Sequence, residues 1–234
     1  VTVFTTTPVN FGATFLVVAP EHPLVAKLLS DPQIFFSPSS WAPPGSAFVK
    51  ISEDGSDSGQ ARMTVADKTR LEEIRKYVEQ AKSKSEAERV AEGREKTGVF
   101  TGLYAVNHVT GKNIPIWISD FVLSNVGTGA VQGCPGHDKR DWNFARKFGL
   151  PIVRVVSNPE SIDPDINDEP FIVHVGDSGV MVNSDFLNGV DFSEAMSKTM
   201  DYFEEKGWGK RTVTYHLHDW IFSRQHYWGE PIPV

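Results

Sequence analysis

Residues 127–141, with the sequence GTGAVQGCPGHDKRD, combine the residue types that could perform chemistry at one place in the chain. Asp138, Asp141 and His137 lie where a glycine-rich strand pattern turns into a helix pattern. Glycines allow the backbone to approach a ligand closely, so such a turn can hold a small polar substrate. The simpler interpretation is a capped helix, in which both acids lie at a helix start that favours negative charge. For an isolated motif we would prefer this interpretation, because matches to single motifs are often accidental.

Alternating Val, Phe and Thr predict strands at 1–7 and 13–19, joined by a connection at 8–12. Helices are expected at 20–29, with Pro23 in the first turn, at 67–92 and at 192–206, ending at Gly207. Further strands are expected at 101–106, 114–119, 128–133, 152–156, 171–175, 180–183 and 212–218. Many strands with separate helices predict an α+β fold, built on a curved or barrel-like, mostly antiparallel β core with peripheral helices.

Charge and cysteine content narrow the function classes. The 234 residues carry 23 Lys and Arg against 30 Asp and Glu, a net charge of −7. This is the wrong sign for a general nucleic-acid-binding surface, so any RNA contact should be local. The single cysteine, Cys134, excludes an internal disulfide and a cysteine-rich zinc site, and no metal is expected. No apolar run has membrane-spanning length, and the start without Met in a strand pattern suggests a piece of a longer protein.

Four other segments, in order, carry a family resemblance. They are 3–23, with VFTTTP and FGATFLVVAPEHP; 96–102, KTGVFTG; 114–123, IPIWISDFVL; and 219–233, DWIFSRQHYWGEPIP. Together with 127–141 they resemble the editing domain inserted in the catalytic core of bacterial-type leucyl-tRNA synthetases, class I enzymes. The resemblance covers nearly the whole chain except 32–66. It implies one inserted domain over 1–234, with 1–7 and 212–234 as connecting strands and 32–66 as a variable, loop-like insertion.

The resemblance also implies an activity. Aminoacyl-tRNA synthetases are the known example of double-sieve editing, in which a second pocket removes errors that the first cannot reject. The expected reaction is hydrolysis, by direct water attack, of the ester that joins norvaline, isoleucine or methionine to tRNA(Leu). The expected partners are the 3′-terminal aminoacyl-adenosine and the catalytic core. No cofactor is expected for editing, ATP would bind the parent synthetase outside this domain, and the location would be the cytoplasm.

Site residues follow from the matching motifs. Asp141 matches the second acid of the family pattern and would anchor the substrate ammonium group. Thr5 and Thr6 match the threonines that line the ester and ribose, where hydroxyls orient water or stabilise an oxyanion. These three residues are the predicted catalytic set. The predicted substrate-binding set is Asn10, Gln132, Cys134, His137, Asp138 and Asp141. His137 is either a base or a turn histidine bonded to backbone.

The threonine-rich segment departs from the family pattern TTRPDT. Here it reads TTTPVN from Thr5 to Asn10, followed by a loop one residue shorter. Asn10 stands near the threonine that crowds leucine in the family, and Gln132 replaces a usual Met. A first alternative therefore stays open, a degenerate, non-hydrolytic insertion that docks the tRNA 3′ end or supports the synthetase. A second alternative, a Cys–His hydrolase, comes from the presence of Cys134 and His137 in the same motif.

Overall fold

A computed structural model describes residues 1–3, 5, 9–31, 65–91, 94–158, 170–172 and 178–212. The helices are α1 (Pro23–Ser30), α2 (Val65–Lys82), α3 (Glu86–Val90), α4 (Lys139–Phe148) and α5 (Phe192–Glu205). The strands are β1 (Phe15–Val18), β2 (Val99–Asn107), β3 (Lys112–Ile118), β4 (Ala130–Gly133), β5 (Val156–Ser157) and β6 (Val180–Met181). Thr6, nearly all of the 32–66 segment, residues 173–175 and nearly all of 212–218 lie outside the described residues.

One four-stranded sheet positions the residues that precede the candidate site. Its order is β2-β3-β1-β4, with β1 parallel to β3 and the other pairs antiparallel. All four residues of β1 are buried. Alternate side chains point to opposite faces, so Leu16 and Val18 pack with α1 and α2, whereas Phe15 and Val17 pack with α4. The strand β1, which pairs with β4, is therefore held between two helical layers.

The α+β prediction is confirmed, but the barrel-like core is not. Among the described strands the large sheet is open, with β2 and β4 at its edges, and β5 and β6 form a separate pair. Helices cover both faces of the sheet, so its apolar side chains are buried without closure. The second pair packs instead with α5 in another apolar cluster, which includes Val156, Met181 and Phe192.

Some predicted boundaries are wrong for local reasons. The helix expected at 67–92 is two helices, because Ser85 caps α3 with a capping box completed by Glu88. Residues 1–3 form no strand. The strand expected at 152–156 is limited to Val156–Ser157, where β6 supplies a partner.

A buried carboxylate connects the residues that follow α2, and residues 94–97, to the loop after β3. Asp120 accepts hydrogen bonds from Lys84 at 2.8 Å, Arg94 at 2.6 Å and Thr97 at 3.2 Å. Burial opposes the charged form, but these bonds keep the pKa of Asp120 below its usual value. Arg89, also buried, donates to the carbonyl of Asp120 at 2.7 Å. The helices before β2 and the loop before β4 are therefore one connected unit.

Replacing Gly133 by Ala should destabilise this sheet. A Cβ at Gly133 would lie 2.2 Å from the ring of Phe15, which is fully buried and stacked on Phe144. Overpacking of this kind costs about 1–3 kcal/mol. The control is Gly209→Ala, where the added Cβ would meet ordinary contacts of 3.5 Å. Chemical denaturation should show a clear loss for G133A and almost none for G209A; equal stabilities would contradict the packing described.

Candidate functional site

Asp141 lies in the first turn of α4 and faces the end of β4. Its Oδ2 accepts a hydrogen bond from the Cys134 backbone N–H at 2.9 Å, and the residue is buried. Within the described part of the chain its carboxylate forms no ion pair and accepts no other hydrogen bond. A buried carboxylate that is satisfied by one neutral donor is an incomplete electrostatic arrangement, which a bound cation would complete.

Burial and, to a smaller extent, the charge of the nearby Asp138 raise the pKa of Asp141 to about 7. The Cys134 N–H and the charge of Arg140 act in the opposite direction but do not offset burial. At neutral pH the carboxyl is therefore divided between its acid and its anion. A cationic ligand would favour the anion by supplying the missing counter-charge.

Asp138 is the N-cap of α4. Its Oδ1 accepts hydrogen bonds from the backbone N–H groups of Arg140 at 2.7 Å and Asp141 at 3.0 Å. Its Oδ2 accepts from the Arg140 guanidinium at 3.3 Å. These contacts assign Asp138 to starting the helix and orienting Asp141. Its predicted contact with substrate stays a prediction.

His137 is buried and uses both ring nitrogens. Nε2 accepts from the backbone N–H groups of Val155 at 2.8 Å and Val156 at 3.1 Å. The proton is therefore on Nδ1, which donates to the carbonyl of Phe171 at 2.8 Å. Burial lowers the pKa of His137 to about 4, so the ring is neutral at pH 7. Of the two interpretations from sequence, this geometry matches the turn histidine bonded to backbone.

Cys134 is buried beside the same turn. Its thiol lies 3.5 Å from the carbonyl oxygen of Val9. Burial, followed by the charges of Asp141 and Asp138, raises the pKa of Cys134 well above its usual value. A reactive cysteine needs the opposite shift, toward thiolate. With both nitrogens of His137 bonded elsewhere, the described contacts disfavour a Cys–His pair.

Asn10 and Gln132, two of the departures from the family pattern, contact each other. The Asn10 Nδ2 donates to Gln132 Oε1 at 2.7 Å, and Asn10 is 3% exposed. Asn107, at the end of β2, donates to the carbonyl of Asn10 at 2.9 Å and of Ala13 at 3.3 Å. We call Asn10, Gln132 and Asn107 the amide cluster. It holds the short 3-10 turn Asn10–Gly12 against β4.

The structure thus brings Asn10, Gln132, Cys134 and Asp141 to one end of β4. Thr5 is exposed, and its predicted role and that of Thr6 stay predictions. Sequence reasoning missed Asn107, because an Asn at the start of a turn pattern is ordinarily a surface turn residue. Its neighbour His108 is exposed and stacks on Trp208, with ring centres 5.1 Å apart.

A family model described as leucyl-tRNA synthetase, editing domain, matches residues 45–204 of this chain. The chain belongs to this family. It is 43% identical over its whole length to the leucine–tRNA ligase of Prosthecochloris aestuarii, and 44% identical over 99% of its length to that of Chlorobium limicola. It spans 24% of each of these relatives, about a quarter of their length.

The chain is also similar to a leucyl-tRNA synthetase from Agrobacterium radiobacter in a ternary complex with tRNA and LeuAMS. The TM-score is 0.53 at 27% identity, covering 96% of this chain and 19% of that one. One expectation is corrected: the family match begins at residue 45, so the resemblance extends into the 32–66 segment. Among the described helices, none is both long and apolar enough to cross a membrane.

Asp141→Asn should stabilise this editing domain at alkaline pH. The pKa of Asp141 in the folded state, about 7, lies above its usual value of 3.8. Its contribution to stability is therefore full below about pH 4 and is lost as the pH rises through 7. Asn keeps an acceptor for the Cys134 N–H and does not ionise, so the gain should grow across that window to about 4 kcal/mol at most.

Denaturant unfolding of the wild-type protein and of D141N at pH 4, 6 and 8 measures this difference in the free energy of unfolding. His137 is present in both proteins. A gain that is the same at all three pH values would contradict a buried, uncompensated carboxylate.

Proposed function

We propose that this domain hydrolyses the ester of tRNA(Leu) charged with a wrong amino acid. The observation that carries the proposal is the buried carboxylate of Asp141, which is held by a backbone N–H and has no counter-ion among the described residues. An aminoacyl ester brings that counter-ion as its α-ammonium group. Membership of the editing-domain family supports the same function.

Anchoring the ammonium group would orient the rest of the ester. Binding favours the anion of Asp141, because the ammonium offsets the burial that raises its pKa. Asp138 accepts a hydrogen bond from the backbone N–H of Asp141, and the backbone N–H of Cys134 donates to one oxygen of the Asp141 carboxylate. The anchor is therefore rigid, which matters because misplacement by about 1 Å can cost about 100-fold in rate.

The reaction is a direct attack by water. The water oxygen bonds to the ester carbonyl carbon, the bond to the ribose oxygen breaks, and that oxygen takes a proton. The products are free amino acid and intact tRNA. We assign Thr5 and Thr6 to orienting the water or the developing oxyanion, as the resemblance implies. The raised pKa of the Cys134 thiol supports water, rather than the cysteine, as nucleophile.

The amide cluster is proposed to shape the pocket for the amino acid side chain. The hydrogen bond from Asn10 to Gln132 pairs the Asn10 NH2 group with the Gln132 side-chain carbonyl and links the 3-10 turn to β4. A wall built in this way is larger and more rigid than a threonine. We infer that it excludes leucine and accepts linear norvaline more readily than branched isoleucine.

The chain spans about a quarter of its relatives' length, so the parent activity is also a proposal. We propose a leucine–tRNA ligase in which the catalytic core binds ATP outside this domain and editing needs no cofactor or metal. The partners would be that core and the 3′-terminal aminoacyl-adenosine. A cytoplasmic location fits protein synthesis.

Asp141→Asn should abolish ester hydrolysis while leaving the protein folded. Loss of the ammonium anchor is expected to lower the rate by about 100-fold or more. The substrate is isoleucyl- or norvalyl-tRNA(Leu), and release of the free amino acid is measured for this chain and for the full synthetase. Cys134→Ala is the matched control, since it keeps the backbone N–H that contacts Asp141 and should stay within a few-fold of wild type.

Full activity of folded D141N would refute the anchor. Inactive C134A, with a trapped acyl-cysteine in the wild type, would favour the Cys–His mechanism instead.

Asn10→Ala should open the pocket to leucine. Wild type is expected to spare leucyl-tRNA and to cleave the norvalyl ester faster than the isoleucyl ester. Removing the amide should raise leucyl-tRNA hydrolysis by about tenfold or more, the usual effect of one side-chain group on such discrimination. Asn113→Ala, at an exposed position of β3, is the control. Wild type cleaving isoleucyl faster than norvalyl ester, with leucine spared, would contradict the crowded pocket.

A degenerate domain is the second candidate, favoured by the altered TTTPVN segment. It predicts that wild type binds the tRNA 3′ end but cleaves none of the three esters, in the full synthetase as in this chain.

A further inference from the structure

The 3-10 turn Asn10–Gly12 is held by a hydrogen bond to its backbone and by an aromatic contact at its centre. Asn107 donates to the carbonyl of Asn10 at 2.9 Å. Phe11, the central residue of the turn, is buried and contacts the ring of Phe186 edge to face, with ring centres 5.9 Å apart. Aromatic pairs in this arrangement attract each other beyond the area that they bury, so the position of Phe186 acts on the position of the turn.

The position of Phe186 is fixed by the short 3-10 turn that contains it, Asp185–Leu187. The side chain of Leu187 is fully buried in the apolar cluster that also contains Phe11. The backbone N–H of Ser184 donates to the side chain of Asn188 at 2.7 Å, and that of Leu187 donates to the carbonyl of Ser184 at 3.0 Å. Phe186 itself is 47% exposed, so it lies on a fixed support at the surface and not in the core.

Two residues of this segment have the left-handed backbone conformation that favours glycine. The φ angle is 50° at Asn183 and 49° at Asp185. The side chain of Asn183 donates to the carbonyl of Arg154 at 3.0 Å, which helps to hold this geometry. Residues other than glycine keep such a conformation where their surroundings impose it, and these positions concentrate at functional sites. The segment therefore presents Phe186 to Phe11 in a defined position.

A second ring, from α5, supports Phe186. The ring centre of Tyr202 lies 4.7 Å from that of Phe186. Trp208 follows on the surface, with its ring centre 5.6 Å from that of Tyr202. Among the described ring contacts, Phe186 is the member of this aromatic cluster that meets Phe11. Phe186 therefore joins the cluster to the turn that carries Asn10.

We propose that Phe186 is a positioning residue for amino acid discrimination, which acts through Phe11 on the wall formed by Asn10 and Gln132. This inference rests on the proposed function, in which that wall excludes leucine. The wall depends on the hydrogen bond from Asn10 to Gln132 at 2.7 Å, and that bond requires the turn to stay against β4. The ring of Phe186 favours this position by packing on the centre of the turn.

The expected effect of losing the ring is a change in selectivity rather than in overall rate. Without the aromatic contact the turn can move away from β4, which enlarges the space that excludes leucine. The carboxylate of Asp141 is held by the backbone of Cys134 and not by the turn, so wrong amino acids should still be removed. Partial unfolding would instead lower the hydrolysis of all esters by one factor and leave their ratio unchanged.

Phe186→Ala in the full synthetase tests this selectivity, with leucyl- and norvalyl-tRNA(Leu) as substrates. We expect the ratio of leucyl to norvalyl ester hydrolysis to rise about threefold, less than the roughly tenfold change expected for removing the Asn10 amide itself. The rate for the norvalyl ester should change little. Phe186→Tyr keeps the ring and should keep the wild-type ratio.

Trp208→Ala is the matched control. Trp208 is 40% exposed, close to the exposure of Phe186, and it contacts Tyr202 in the same aromatic cluster. Its described ring contacts do not include Phe11, so its removal should leave the ester ratio at the wild-type value.

Hydrogen exchange in the turn gives a second readout that does not depend on hydrolysis. The Gly12 N–H donates to the carbonyl of Val9 at 2.8 Å, and the Ala13 N–H donates to that of Asn10 at 3.2 Å. In folded F186A these two amides should exchange several-fold faster than in wild type, F186Y and W208A. Unchanged exchange in F186A would overturn the positioning role, even for a domain that hydrolyses no ester.

The ester assay separates the remaining outcomes. Faster exchange in F186A with an unchanged ester ratio would overturn the role in discrimination, and so would an equal rise of the ratio in W208A or a raised ratio in F186Y. If wild type cleaves none of the esters, the proposed function fails and the role in discrimination fails with it. Faster exchange in F186A would then still show that Phe186 positions the turn.

Discussion

The contact on which the site depends is the hydrogen bond from the Cys134 backbone to the Asp141 carboxylate. It closes the turn between β4 and α4, because it joins the residue that follows β4 to the first turn of the helix. Asp138 caps the helix from within the turn, and His137 binds the turn to the backbone at Val155, Val156 and Phe171. Every other feature of the site is placed relative to this closed turn.

His137 and Asp141 are both buried, but the physical consequences differ. Burial keeps His137 neutral, and all its hydrogen-bonding capacity is used by backbone groups, so it stabilises the fold at neutral pH. Burial of Asp141 instead favours a protonated acid, which destabilises the domain when the pH rises. A group that costs stability at working pH needs another reason to be there, and binding a cation is such a reason.

Much of the fold and of the candidate site could be predicted from the sequence, and the predictions that are wrong have identifiable causes. The glycine-rich strand, the helix starting after Asp138 and the helix at 192–206 follow from local signals, and they are present. The sequence pattern does not predict the end of α2 before Ser85, because the apolar periodicity continues through the capping box of α3. The open sheet and the buried role of Asn107 depend on partners far along the chain, which spacing does not reveal.

Asn10 and Gln132, two of the departures from the family pattern, also depend on partners that are distant in the chain. Taken alone, a buried Asn10 brings amide donors into the interior that need an acceptor. The half-buried Gln132 supplies one, because the Asn10 amide donates to its side-chain carbonyl at 2.7 Å. Each polar residue makes the other acceptable, so the pair is one structural unit. We propose that a wall remade in this way changes which amino acids fit, while the backbone N–H of Cys134, two residues beyond Gln132, still holds the Asp141 carboxylate.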